Sequence, residues 1–108
     1  MNMWRAVTLL MFAILVGDQS ARAQDSFEAR QGRAFAQRIC SGCHGIVLGA
    51  PSPVAGAPNF YTIASTPGMS PLALRVALET PHHSMPNLTL MTDELRDITA
   101  YIMSLSGN

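Results

Sequence analysis

Two cysteines and a histidine within five residues, Cys40-Ser41-Gly42-Cys43-His44, constrain this 108-residue chain more than anything else in it, and the two cysteines are its only ones. Two thiols separated by two residues and followed at once by an imidazole have the spacing of covalent haem attachment. Each thiol can add across one vinyl group of a porphyrin edge, while the next side chain reaches under the ring to the iron. His44 would bind through one ring nitrogen, and its other nitrogen would donate to a backbone carbonyl that fixes tautomer and ring orientation. Three other readings compete. A redox-active dithiol belongs to a strand-rich unit, and no strand pattern is present. A zinc site needs four ligands, which His82 or His83 would complete beside Cys40, Cys43 and His44. A plain structural disulfide is the third. The histidine directly after Cys43 favours haem.

The N-terminus agrees, because covalent haem attachment and export go together in bacteria. Met1-Asn2-Met3-Trp4-Arg5 gives a basic start. Residues 6–16 form an apolar run broken only by Thr8, about the length of a signal h-region and short for a membrane span. Gly17-Asp18-Gln19-Ser20 interrupts the run, and Ala21-Arg22-Ala23 fits the small-x-small cleavage rule. Residues 1–23 therefore read as a secretory signal peptide and 24–108 as one mature domain beginning at Gln24, with the periplasm as its location and no membrane insertion after cleavage. Retention of the segment as an uncleaved anchor is the alternative. A domain this small buries a modest core unaided. A bound haem would give it an apolar plate to pack against, so the haem-free chain is expected to fold poorly.

Charge narrows the partners. All seven basic residues are arginine, and the mature part sets Arg30, Arg33, Arg38, Arg75 and Arg96 against Asp25, Glu28, Glu79, Asp93, Glu94 and Asp97. That balance attracts neither nucleic acid nor an anionic membrane.

Helical periodicity recurs along the chain and no convincing strand appears, predicting an all-α fold of three or four helices. Asp25 or Ser26 is placed to cap the first helix, with Glu28 completing a capping box, and the helix runs through Phe27, Ala34 and Phe35 to about residue 38, delivering Cys40. Gly32 inside it implies a packing reason. Residues 45–58, rich in Gly, Pro, Ala and Val, predict a loop around the haem edge. A short helix over 60–64 would bury Phe60 and Ile63. Ser70 before Pro71 starts another, with Leu72, Leu74, Val76 and Leu78 as its apolar surface to about residue 80. The last helix is capped by Thr92, carries Asp93 and Glu94 at its positive end, repeats Leu95, Ile98, Tyr101, Ile102 and Leu105 at helical spacing, and stops at Gly107. It is expected to pack on the first near Gly32.

The sixth iron ligand separates an electron carrier from a gas-binding or catalytic haem. Met85 lies in Pro81-His82-His83-Ser84-Met85-Pro86, a proline-bounded loop suited to holding a thioether against the ring. His82 and His83 are the competing ligands, and methionine would raise the reduction potential relative to two histidines.

An N-terminal helix leading into Cys40-x-x-Cys43-His44, a Met85-Pro86 loop and a Thr92-Asp93-Glu94-Leu95 helix ending through Tyr101-Ile102 together resemble a class I monohaem cytochrome c. The resemblance spans the mature chain. It implies terminal helices meeting around one haem c, with Gly32 and Tyr101 at their contact, a Pro58 carbonyl accepting from His44, and iron cycling between ferric and ferrous. It also implies a non-enzymatic electron carrier of the respiratory type, monomeric in isolation, between a dehydrogenase donor and an oxidase or reductase acceptor. A dedicated cytochrome subunit of an oxidoreductase complex is the alternative. A haem enzyme or ligand sensor, with His82, His83 or an open sixth site, follows. The chain departs from the family's best-known members in having no lysine ring, so docking is expected to be apolar and little affected by salt.

Overall fold

The computed structural model describes the backbone of residues 2–82 and 84–106, with side chains throughout except at 6 and 8–18. His83 and Gly107, both named above, lie outside the described residues. The architecture is all-α: α1 (Met3–Ile39), α2 (Phe60–Ala64), α3 (Pro71–Glu79) and α4 (Thr92–Ser104), with no strand among the described residues.

The first helix differs most from expectation. It begins at Met3 rather than near Asp25 or Ser26, because nothing between residues 18 and 31 breaks a helix. Ser26 Oγ donates back to the Ala23 carbonyl (2.9 Å) instead of capping. Thirty-seven residues at about 1.5 Å each make a rod of roughly 55 Å, which accounts for overall dimensions of 66 × 27 × 25 Å. Every described side chain from Asn2 to Phe27 is exposed. Among the described residues, no helix is long and apolar enough to cross a membrane.

Packing begins at Glu28, whose carboxylate meets Arg96 Nε of α4 at 3.2 Å, while Arg96 also holds Asp97 at 2.8 Å. One turn further on, Gly32 lets the two backbones touch. A Cβ there would collide with the Asp97 carbonyl and come within 2.8 Å of Tyr101 Cβ. The packing reason for this glycine is thus steric. Phe35 and Ala36 of α1, Ile98, Tyr101 and Ile102 of α4, Phe60 and Ala64 of α2 and Leu74 of α3 form the core with Ile46.

The short helices start where their caps dictate. Asn59 Oδ1 accepts from the Thr62 amide (2.8 Å), and Ser70 Oγ accepts from Ala73 (3.1 Å) with Pro71 as the first helical residue. On α3 only Leu74 is buried, with Ala77 and Leu78 half-buried; Leu72 and Val76 face solvent, so the apolar surface expected there is narrower than the composition implied. The last helix starts one residue earlier than Thr92 would dictate. Met91 is the N-cap, and its amide is taken by the Glu94 carboxylate from inside the first turn (2.9 Å).

Candidate functional site

The end of α1 shapes the Cys40–His44 motif. Cys40 and Ser41 amides both reach the Ala36 carbonyl (2.8 and 2.9 Å), closing the helix, and Cys43 and His44 amides then both donate to the Cys40 carbonyl (3.1 and 3.0 Å). Helical hydrogen bonding thus continues for one more turn. Positions i, i+3 and i+4 of such a turn share a face, and Cys40, Cys43 and His44 accordingly line one cavity.

The loop that follows folds back over the motif. Gly45 is buried, its amide donates to Ser52 Oγ (3.0 Å), its carbonyl accepts from Phe60 (2.9 Å), and a Cβ on it would strike the Ala50 carbonyl. The fold-back brings the Pro58 carbonyl within 2.7 Å of His44 Nδ1. A carbonyl can only accept, so Nδ1 carries the proton and the neutral ring keeps its free lone pair on Nε2. That is the tautomer a metal-binding histidine needs. Phe60 stands 5.7 Å from the His44 ring and 6.3 Å from that of Tyr101, and the buried Tyr101 hydroxyl donates to the Ile46 carbonyl (2.7 Å). The histidine is therefore braced through Phe60 and Tyr101 to α4.

The cavity holds about 440 Å³, within the range of about 300–1,000 Å³ usual for cofactor sites, and its walls come from every part of the body of the protein. Phe35, Leu74, Ile98 and Ile102 supply helix faces, the loop from Val54 to Pro58 one edge, and Met85, Pro86, Leu88 and Leu90 another. Met85 is half-buried and His82 is exposed; both line it, as does Ser84. Among the described residues the lining includes no Asp, Glu, Lys or Arg.

Burial pushes the Cys40 thiol up to about 11. A redox-active dithiol requires the opposite, a thiol held low enough to ionise near neutrality. Both cysteines are free thiols, so no disulfide joins them. Among the described residues no three His, Cys, Asp or Glu side chains converge as a metal site, so the zinc set built on His82 does not form. An apolar plate with a metal at its centre, two carbon–sulfur attachments at one edge and a nitrogen ligand on one side fits the donor set and the walls. Cys40 and Cys43 would carry the attachments and His44 would be the nitrogen ligand, with Met85 or His82 available as a further one.

Phe35, Leu74, Ile98 and Ile102 were legible as core from their helical spacing, but nothing in the sequence marks them as cavity wall. The Tyr101–Ile46 bond, spanning 55 residues, has no local sequence signal. No protein-family model, curated protein or solved structure matches the chain.

Proposed function

We propose that the chain is an exported single-haem electron carrier of the class I cytochrome c type, with haem c joined to Cys40 and Cys43 and its iron held between His44 and Met85. The observation that carries this reading is the Nδ1–H donation from His44 to the Pro58 carbonyl, which leaves Nε2 as a ligating nitrogen in a cavity that Cys40 and Cys43 share. Attachment requires only addition of each thiol S–H across a vinyl double bond, and a protonated, half-buried Cys40 keeps that hydrogen until the reaction. The haem iron supplies a one-electron couple between ferric and ferrous. His44 and Met85 are both neutral ligands able to serve either oxidation state, and the apolar walls exclude water and favour the ferrous form, which carries less net charge. Residues 1–23 act as the export signal, and the mature protein works in the periplasm between a dehydrogenase and an oxidase or reductase.

The test is the absorption spectrum of ferric protein matured with a haem-attachment system. A weak long-wavelength sulfur-to-iron band, lost in Met85→Ala, is the expected result. Carbon monoxide binding to the reduced wild-type protein at neutral pH would instead point to an open sixth site and to sensing or catalysis, and stable co-purification with a larger oxidoreductase would make the protein a dedicated subunit.

A further inference from the structure

We infer that His82 is a reserve ligand: when the Met85 thioether leaves the iron, the His82 imidazole replaces it and keeps the sixth position closed to small external ligands. The inference rests on the haem reading proposed above. The exchange breaks an iron–sulfur bond and forms an iron–nitrogen bond, with no change of electron count.

Four observations carry it. Both side chains line the same cavity, and among the described residues His44 and His82 are the only lining residues with side-chain nitrogen. Their burial ranks them: Met85 is half-buried within the cavity, and His82 is exposed at its rim. Met85 is the resident and His82 the neighbour in waiting. Next, no backbone–backbone hydrogen bond among the described residues involves positions 81, 82 or 84–90, so reseating His82 and Met85 breaks no pairing between described residues. Finally, His82 follows a fixed point by two residues. Thr80 ends α3 with its amide on the Ala77 carbonyl (3.3 Å) and its hydroxyl on the Val76 carbonyl (2.6 Å), and α3 is pinned by the buried Leu74.

A three-residue separation spans at most about 10 Å of extended chain, so the motion is local and the imidazole acts at a tethered concentration on the order of millimolar or above. Imidazole is a good ligand for iron in both oxidation states, and thioether the softer one. The result is a haem that loses its sulfur without becoming a gas-binding centre.

The experiment uses the full haem-loaded protein. Met85→Ala is expected to remain six-coordinate and low-spin when ferric, and when ferrous to bind carbon monoxide at least about tenfold more slowly than Met85→Ala/His82→Ala, reflecting the tethered competitor. The double variant is expected to turn high-spin, and added imidazole to restore its low-spin spectrum, which shows that the cavity survives. Met85→Ala/His83→Ala should match the single variant. A high-spin Met85→Ala with the carbon monoxide reactivity of the double variant overturns the inference, as does opening of the site by the His83 change rather than the His82 change. A wild-type ferric spectrum lacking the sulfur band, by contrast, overturns the ligand reading underneath.

Discussion

His44 owes its usefulness to a single carbonyl. With Nδ1 donating to the Pro58 carbonyl, ring orientation is set by the protein alone, and Phe60 and Tyr101 hold that arrangement from behind. Tyr101 gives the clearest handle on it. Burial raises its phenol above the ordinary tyrosine value, while Arg33 works weakly the other way. A group whose proton is held more tightly in the folded state contributes stability that is complete below its unfolded pKa, about 10, and disappears as pH rises through the higher folded value. Denaturant midpoints of the haem-loaded protein, in which Cys40 no longer titrates, should therefore fall above about pH 10. Tyr101→Phe should remove that limb and, by leaving the Ile46 carbonyl unpaired, cost about 1–3 kcal/mol at neutral pH.

Between helices, the decisive contact is the meeting of α1 and α4 at Gly32. Gly32→Ala places a methyl against the Asp97 carbonyl, and neither backbone can yield without moving a whole helix. Overpacking of this kind costs about 1–3 kcal/mol, so a lower thermal midpoint with unchanged helix content is expected, and an unchanged midpoint would mean that the helices are farther apart. The elements that local chemistry defines were legible in the sequence: Asn59 and Ser70-Pro71 start α2 and α3 where a cap or a fixed φ demands. The start of α1 was not, since Asp25 and Ser26 cap only a helix that begins there, and here the helix comes through from Met3. Leu72 and Val76 misled for another reason, because composition names apolar residues without saying which helix face meets the core. The site divides the same way. Cys40, Cys43, His44 and Met85 stand out by spacing and proline bracketing, whereas Ile98 and Leu74 become cavity walls only when three helices converge.

The molecule as a whole is organised around a space. An apolar-lined cavity of about 440 Å³ sits where the core of a small domain would otherwise close, so without an occupant its walls lack partner atoms on one side. The haem-free Cys40→Ala/Cys43→Ala variant should accordingly lack a cooperative thermal transition by circular dichroism, and a sharp transition would show that the walls collapse onto one another without an occupant. On the electron-carrier reading proposed above, the same apolar lining would face the redox partners. With no Asp, Glu, Lys or Arg in the described lining and no lysine in the chain, electron-transfer rates should change little between low and physiological salt in stopped-flow mixing, and a steep fall would reveal a charged docking surface elsewhere.

The turn that closes α1 places Cys40, Cys43 and His44 on one face through contacts no more than five residues apart, while Met85 arrives from a loop forty-one positions beyond His44. On the haem reading proposed above, tethering can thus precede folding, since a nascent strip of chain would suffice to receive the ring. Heat or denaturant would then unfasten the distant half first and leave the pigment tied to its strip, so that recovery is a one-body search with no cofactor to recapture from solution.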